Sequence, residues 1–222
     1  PTRRSSDLIK NILKNKDIGA IGIGAMIVFI AMVLVAGIAA SVLVQTANKL
    51  EIQAMQTGDQ TTAEVATGIK VLDIIGNKNT DIQNISIVVS PRAGSEDIDL
   101  SQTFIEISDS TMKNVLTYES SDFYLQHQIN GDLFGDFFSN LDATKFGIVV
   151  MEDADGSCTS TSPVINRGDK VALTVLCGGV FGAELGERTD VWGMVQPEDG
   201  APGVFGFRTP ASYAGDTVFD LY

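Results

Sequence analysis

One uncharged segment constrains this chain more than any other feature of its sequence. Residues 18–48 contain no Asp, Glu, Lys or Arg, and their centre, residues 22–36, is apolar on every face of a helix. At about 1.5 Å per residue, roughly 20 apolar residues span the hydrocarbon core of a bilayer. The apolar region of an ordinary secretory signal is shorter and ends at a small-residue cleavage site. The segment therefore predicts a long helix that needs lipid or other apolar helices around it.

The charge distribution changes sign at the start of this segment. Five basic and two acidic residues give the first 19 positions a charge of +3, and the other 203 positions carry −16, for a total of −13. Basic residues beside a first apolar segment stay on the cytoplasmic side of a membrane, so we expect the acidic part to face outward. An acidic surface repels nucleic acid, which argues against DNA or RNA as a partner.

Periodicity predicts one helix followed by one exported domain. We expect a leader at residues 1–19, a hydrophobic helix at 20–60, a linker at 61–68 and a β-domain at 69–222. Gly58 is a natural stop for the helix, since glycine is a common helix terminator, and Thr61 to Thr67 is expected to be either a frayed continuation or a linker. The chain begins without Met, and residues 1–8 resemble the translation of a sequencing-adapter end, which we interpret as an artefact and exclude from fold reasoning.

The part after Gly68 changes to the pattern of short β-strands. Segments rich in β-branched residues alternate with turn residues, and many short strands at this spacing are typical of a sandwich. The predicted fold class is therefore α+β, a long N-terminal hydrophobic α-helix followed by an Ig-like antiparallel β-sandwich. Strands are predicted at 69–75, 82–90, 98–107, 112–118, 145–151, 170–177, 190–195, 203–208 and 216–221.

Three details of this domain have alternative interpretations. Residues 122–140 are expected to form a loop or short helix that packs aromatic rings, Phe137 among them, onto the core. Trp192 is expected in the core, with a subunit contact as the alternative. Cys158 and Cys177 are candidates for a disulfide in an oxidising compartment, and two separate buried thiols are the alternative.

Particular residues near both ends of the chain resemble those of a known protein family. Gly22-Ile23-Gly24 opens the apolar run through Ala36, and distinctive stretches lie far from it, at 168–171, 195–198, 200–204 and 209–213. Together they closely resemble archaellins, the archaeal flagellins, and they bracket nearly the whole chain. A generic apolar helix would be weak evidence, but its combination with the distant C-terminal stretches is specific.

The resemblance implies a filament subunit made as a precursor. A membrane aspartyl protease, the preflagellin peptidase, would remove the basic leader between Gly19 and Ala20. Family leaders carry basic residues directly before that glycine, whereas this chain has Asp17 and Ile18 there. An uncleaved signal anchor is the alternative.

What the resemblance implies for the mature chain is a structural role without active site or cofactor. The freed helix would pack in the filament core and the β-domain would form an outer sheath. Partners would be further copies of the chain or other archaellins, together with the archaellum secretion and motor machinery. The precursor would lie in the cell membrane and the product in the extracellular archaellum filament. The core side chains are expected to include Ile23, Ile27, Phe29, Ile30, Val33, Leu34 and Ile38.

Two other functions remain open from the sequence. A pilin-like adhesin would share the leader and helix but would be expected to lack the C-terminal stretches. A membrane-anchored exported domain with hydrolase activity would need a nucleophile and a base, and the single histidine, His127, has no such neighbours in sequence.

The remaining candidate sites are small. Asn84-Ile85-Ser86 is a sequon, and archaellins are commonly N-glycosylated, so a glycan is expected on Asn84. Asp153 and Asp155 supply hard oxygen ligands near a turn and are weak candidates for a cation site, with a solvated acidic turn as the simpler interpretation.

Overall fold

The computed structural model describes residues 3–135, 138 and 140–222, and within 3–7 and 12–18 it describes the backbone alone. The chain divides into two compact units, Pro1–Gly58 and Asp59–Tyr222. Its elements are α1 (Arg3–Ala66), β1 (Ile69–Lys78), β2 (Ile82–Pro91), β3 (Ile98–Asp99), β4 (Phe104–Ser108), β5 (Lys113–Leu125), β6 (Lys145–Glu152), β7 (Val164–Ile165), β8 (Lys170–Leu176), α2 (Cys177–Val180), β9 (Asp190–Gln196), β10 (Gly203–Arg208) and β11 (Val218–Asp220).

The helix α1 continues to Ala66, through most of the segment predicted as a linker. Gly58 lies inside it, because one helical glycine costs only about 1 kcal/mol relative to alanine. Side-chain hydrogen bonds support the turns on both sides of it. The hydroxyl of Thr57 donates to the carbonyl of Gln53 (2.8 Å), and the amide of Gln60 donates to the carboxylate of Glu64 (3.0 Å).

Within the described residues, the β-strands form one nine-stranded sheet and a separate two-stranded ribbon. The order in the large sheet is β10-β9-β4-β5-β6-β8-β2-β1-β11, and β3 pairs with β7. Every neighbouring pair is antiparallel except β5 and β6, which are parallel. The predicted fold class, a long hydrophobic helix followed by a mostly antiparallel β-domain, is confirmed. Each predicted strand segment contains an observed strand, and β7 was missed because two residues carry no periodic signal.

The large sheet curves so that its two ends approach each other. Gly68 and Ala201 form a parallel bridge, in which the amide of Ile69 donates to the carbonyl of Ala201 (3.1 Å) and the amide of Ala201 donates to Thr67 (2.9 Å). A side chain at Gly203 would touch both Ile69 and Val71. The residues of both sheet ends therefore enclose one core, in which Ile69, Ile85, Ile107, Phe146, Leu173 and Val195 are fully buried.

The segment predicted as a loop at 122–140 begins as a strand, which corrects that prediction. Strand β5 continues to Leu125 because a register irregularity between Tyr118 and Phe123 lets its second half pair with β6. The chain after Leu125 returns over the outside of the sheet. There a second apolar cluster forms from Ile129 of that segment and Val88, Val149 and Ala172 of the strands. Phe137, one of the predicted packing aromatics, lies outside the described residues.

Candidate functional site

The apolar helix is the functional site that the sequence predicts, and none of its predicted core side chains is buried within the chain. The exposed fraction of these seven side chains ranges from 51% to 67%. Residues 19–66 form a helix long and apolar enough to cross a membrane, and none of the residues in its most apolar stretch is buried in the described chain. The seven side chains are Ile23, Ile27, Phe29, Ile30, Val33, Leu34 and Ile38.

Small residues make a groove along one side of this helix. The groove follows the three- and four-residue spacing of one helix face, with alanines between larger apolar side chains. A ridge of side chains from a second helix fits such a groove. The lining residues are Val28, Ala31, Met32, Val35, Ala36 and Ala39.

The helical glycines are not required by anything in the described part of this chain. A side chain added at Gly22, Gly24 or Gly37 would meet no atom within 4 Å outside the helix itself. Each glycine nevertheless costs about 1 kcal/mol of helix stability relative to alanine. Their benefit must therefore come from outside the single chain, and close approach of another backbone is what small residues permit in apolar helices.

Polar side chains near the end of the uncharged run make hydrogen bonds within the helix. The amide of Gln45 donates to the hydroxyl of Ser41 (3.4 Å), and the hydroxyl of Thr46 donates to the carbonyl of Leu43 (2.9 Å). A polar group that enters an apolar environment costs little only if it keeps a hydrogen bond. These hydrogen bonds lower the cost of placing Ser41 and Thr46 among apolar neighbours.

The leader residues are only partly described. Gly19 and Ala20, which flank the predicted cleavage point, lie in α1 and are exposed. Residues 1 and 2 and the side chains of 3–7 and 12–18, which carry most of the leader charge, lie outside the described residues. Cleavage after Gly19 stays a prediction.

In the β-domain, a third carboxylate joins the two predicted as weak cation ligands. Carboxylate oxygens of Asp153, Asp155 and Asp169 lie within 4.8 Å of one another. Asp169 is almost fully buried, and sequence reasoning missed it because it belongs to the turn before β8. The antiparallel pairing of β6 with β8, which joins Glu152 to Lys170, is what brings the two turns together.

The three carboxylates also organise their own loop. Asp153 accepts the amides of Gly156 (2.8 Å) and Cys158 (3.2 Å), and Asp169 accepts those of Ala154 (3.3 Å) and Asn166 (2.9 Å). Hydrogen bonds from Ser157 and Asn166 hold the pKa of the Asp155 carboxyl below its ordinary value. The trio has the donor chemistry for a divalent cation, but it also has a complete role in loop geometry, so the cation site stays a prediction.

The two cysteines are separate buried thiols, which corrects the predicted disulfide. The backbone amide of Cys158 donates to the carboxylate of Asp153, near the beginning of β8. Cys177 follows the end of the same strand. The seven residues of β8 extend roughly 23 Å, whereas a disulfide needs Cα atoms within about 7 Å. Burial raises the pKa of the Cys158 thiol to about 12 and also raises the pKa of Cys177.

The sequon lies inside a central strand. Asn84 is half-buried in β2, which pairs with β1 on one side and β8 on the other, and Ser86 is fully buried. A glycosyltransferase needs access to the sequon, which the folded strand does not provide. A glycan on Asn84 stays a prediction, and it requires attachment before the domain folds.

The distinctive C-terminal stretches have structural roles. Gly200 has φ of +93°, and a side chain there would lie 2.2 Å from the carbonyl oxygen of Thr67, so only glycine fits where the sheet ends meet. The hydroxyl of Tyr213 donates toward the carbonyls of Leu185 and Gly186 (2.9 Å each), which fixes the turn before β9.

Known proteins similar to this chain agree on one family. The family model for archaeal-type flagellin matches residues 19–207. Flagellin B2 of Methanocaldococcus jannaschii is 48% identical over 198 residues, which cover 88% of this chain and 90% of that protein. Flagellin B3 of Methanococcus voltae is 39% identical, over 95% of this chain and 99% of that protein.

Solved structures give the same result. The archaeal flagellin FlaB1 of Methanocaldococcus jannaschii superposes with a TM-score of 0.64 at 31% identity, over 70% of this chain and 97% of that one. The archaeal flagellum of Methanospirillum hungatei strain JF1 gives a TM-score of 0.60 at 14% identity, over 90% and 98%, a likeness of fold alone.

Proposed function

This chain belongs to the archaeal-type flagellin family, and from that premise we propose that residues 20–60 pack as the core of an archaellum filament while the β-domain forms its outer sheath. The observation that carries the proposal is the set of seven predicted core side chains, each at least half exposed in the single chain. A helix that is apolar all round is stable only in lipid or among similar helices. A polymer of identical subunits supplies the second environment.

The energy available from such packing is large enough to hold a polymer. Full burial of one fully exposed large apolar side chain contributes about 1.5–3 kcal/mol. Since 51–67% of each of the seven is still exposed in the single chain, their burial contributes roughly 6–13 kcal/mol per subunit. Association costs about 4–15 kcal/mol in lost translational and rotational freedom. Since further apolar residues such as Met26, Met32 and Val35 are equally exposed, the balance favours assembly.

Processing by the preflagellin peptidase converts the membrane form into the assembling form. The leader carries +3 on its 19 residues, and this charge favours the cytoplasmic face of the membrane. Removing it between Gly19 and Ala20 leaves a helix whose first charged residue is Lys49.

The precursor accordingly lies in the cell membrane, and the mature chain lies outside the cell in the filament. Its partners are further copies of itself or related archaellins, the secretion apparatus that adds subunits, and a separate motor that supplies torque. The subunit itself is structural, and it transmits torque through rigid contacts with its neighbours. Assembly that does not close on itself requires different surfaces on the two sides of each contact.

N-terminal sequencing of purified surface filaments tests the proposal most directly. We expect Ala20 as the first residue, which establishes processing and assembly together. Recovery of the chain only from membranes, with its leader intact, would show a membrane-anchored exported domain instead. Recovery of processed chain only from short, non-rotating surface fibres that bind a substrate would favour the pilin-like adhesin.

A further inference from the structure

Four strands of the β-domain present an outward surface that carries several large apolar side chains. The outward side chains of β10, β9, β4 and the first half of β5 form cross-strand rows, since Val204 pairs with Met194, Met194 with Glu106, and Glu106 with Val115. Directly opposed side chains in such rows lie about 5 Å apart. We call the surface made by the following residues the outer sheet face: Phe104, Val115, Trp192, Met194 and Val204.

This face is exposed, although its residues are of the kind that proteins bury. The exposed fraction is 67% for Val204, 50% for Val115 and 49% for Trp192. The expectation that Trp192 lies in the core is therefore wrong. Gly206, which pairs with Trp192, leaves the surface beside the indole ring without a side chain.

Elsewhere on the same sheet, a similar outward apolar surface is covered by the chain itself. On the outward side of β2, β6 and β8, Val88, Val149 and Ala172 are covered by Ile129 from the segment after β5. No described residue of the chain covers the outer sheet face in the same way. The same sheet thus has one outward surface that the chain covers and one that it leaves uncovered.

The four charged side chains on the outward side of these strands form two oppositely charged pairs. Lys113 pairs with Glu106 (2.5 Å), and Arg208 pairs with Asp190 (3.5 Å). The chain after the leader carries −16 overall, so this surface is locally neutral in an acidic domain.

We propose that the outer sheet face is a contact surface for a second copy of this chain, in the lateral packing of β-domains along the filament. The proposal rests on the proposed function and names the β-domain surface that serves it. A cationic partner would gain most from the acidic surface of the domain and little from a neutral face. A partner with the same strong negative charge is repelled elsewhere and can approach closely where charge is cancelled and apolar area is available.

The contact need not be strong by itself. A stable interface between free proteins buries about 800 Å² on each partner, more than five side chains provide. Subunits that are already held by their helices are at high effective concentration, so a small additional contact adds to their affinity. Since the contact is apolar and the repulsion around it is ionic, added salt should favour it.

The single tryptophan of the chain is a built-in probe of this contact. Acrylamide quenching of Trp192 fluorescence would be compared between intact filaments and detergent-dissociated subunits of the full mature chain. We expect at least a threefold lower quenching constant in filaments, with emission shifted to shorter wavelength. Equal quenching in the two states would overturn the proposal, and this measurement needs no variant.

Two matched valines give the second test. Val115 lies on the outer sheet face with 50% exposure, and Val218 lies on β11 with 49% exposure and outside that face. We expect Val115→Asp to raise the critical concentration for assembly at least tenfold and Val218→Asp to change it less than twofold. Circular dichroism of dissociated subunits shows whether each variant folds, and the quenching result decides if Val115→Asp does not.

The outcomes separate this inference from the proposed function. Filaments of Val115→Asp that form as readily as those of Val218→Asp would refute the contact surface while leaving the filament role intact. A wild-type chain that forms no filaments under any processing condition would refute the filament role itself.

Discussion

Shortening one side chain of the apolar helix should weaken the filament without weakening the subunit. Leu34 is 62% exposed in the single chain, so Leu34→Ala removes little packing there and slightly favours the helix. In a packed core, a Leu→Ala change costs about 2–5 kcal/mol, because it removes buried methyl groups and leaves a cavity. At about 1.4 kcal/mol per factor of ten, the critical concentration for assembly should rise roughly 30- to 4,000-fold.

The measurement is the subunit concentration that remains in solution after filaments are sedimented at equilibrium. Leu34→Met is the matched control, because it conserves volume and should cost under about 1.5 kcal/mol, or roughly a tenfold change. Circular dichroism of dissociated subunits should give the same helix content for both variants and the wild type. A critical concentration for Leu34→Ala within threefold of wild type would mean that this side chain is not packed in the polymer, and the burial argument would fail.

Three further predictions follow from local geometry. Gly37→Leu should leave the dissociated helix intact or more helical by circular dichroism but abolish filaments seen by electron microscopy; normal filaments would show that no backbone approaches there. Gly200→Ala should lower the free energy of unfolding by more than 2 kcal/mol (about twice the cost of Gly94→Ala) in thermal melts, because both have positive φ but only Gly200 faces a carbonyl within contact. Equal losses would contradict this. Cys158 and Cys177 should resist iodoacetamide at pH 8, since their raised pKa values keep them protonated, and both should react after unfolding without reductant; failure to react then would indicate a disulfide.

Much of the fold follows from the sequence because the helix and strand signals are strong. The uncharged run predicts a helix from composition alone, and the β-branched segments predict nine strand regions that the structure contains. The parallel pairing of β5 with β6 could not be predicted, because alternation reports which face is buried and not which strand lies alongside. The end of α1 at Ala66 agrees with a continuation beyond Gly58, and the sequence left this open because residues 59–66 mix helix-favouring Gln, Ala and Glu with Asp, Thr and Val.

The site predictions divide in the same way. The candidate core side chains of the helix could be named individually because the segment is apolar on every face, so each large side chain in it is a candidate. Asp169 was missed as a neighbour of Asp153, because their proximity depends on the pairing of β6 with β8. Trp192 was assigned to the wrong face because β9 has apolar residues at both alternating sets of positions, so its pattern does not indicate which set faces inward.

The meeting of the two sheet ends at Gly68 and Ala201 has a consequence for any assembly built from this domain. An unpaired strand edge can recruit a strand from another molecule, and crowded β-proteins aggregate by that route. Here the first residues of β1 are engaged by the approach to β10, and the other terminal strand, β11, has only three residues. Strand exchange with a neighbouring domain is therefore limited at the start of β1 and along β11, which leaves β10 as the longer terminal strand of the sheet.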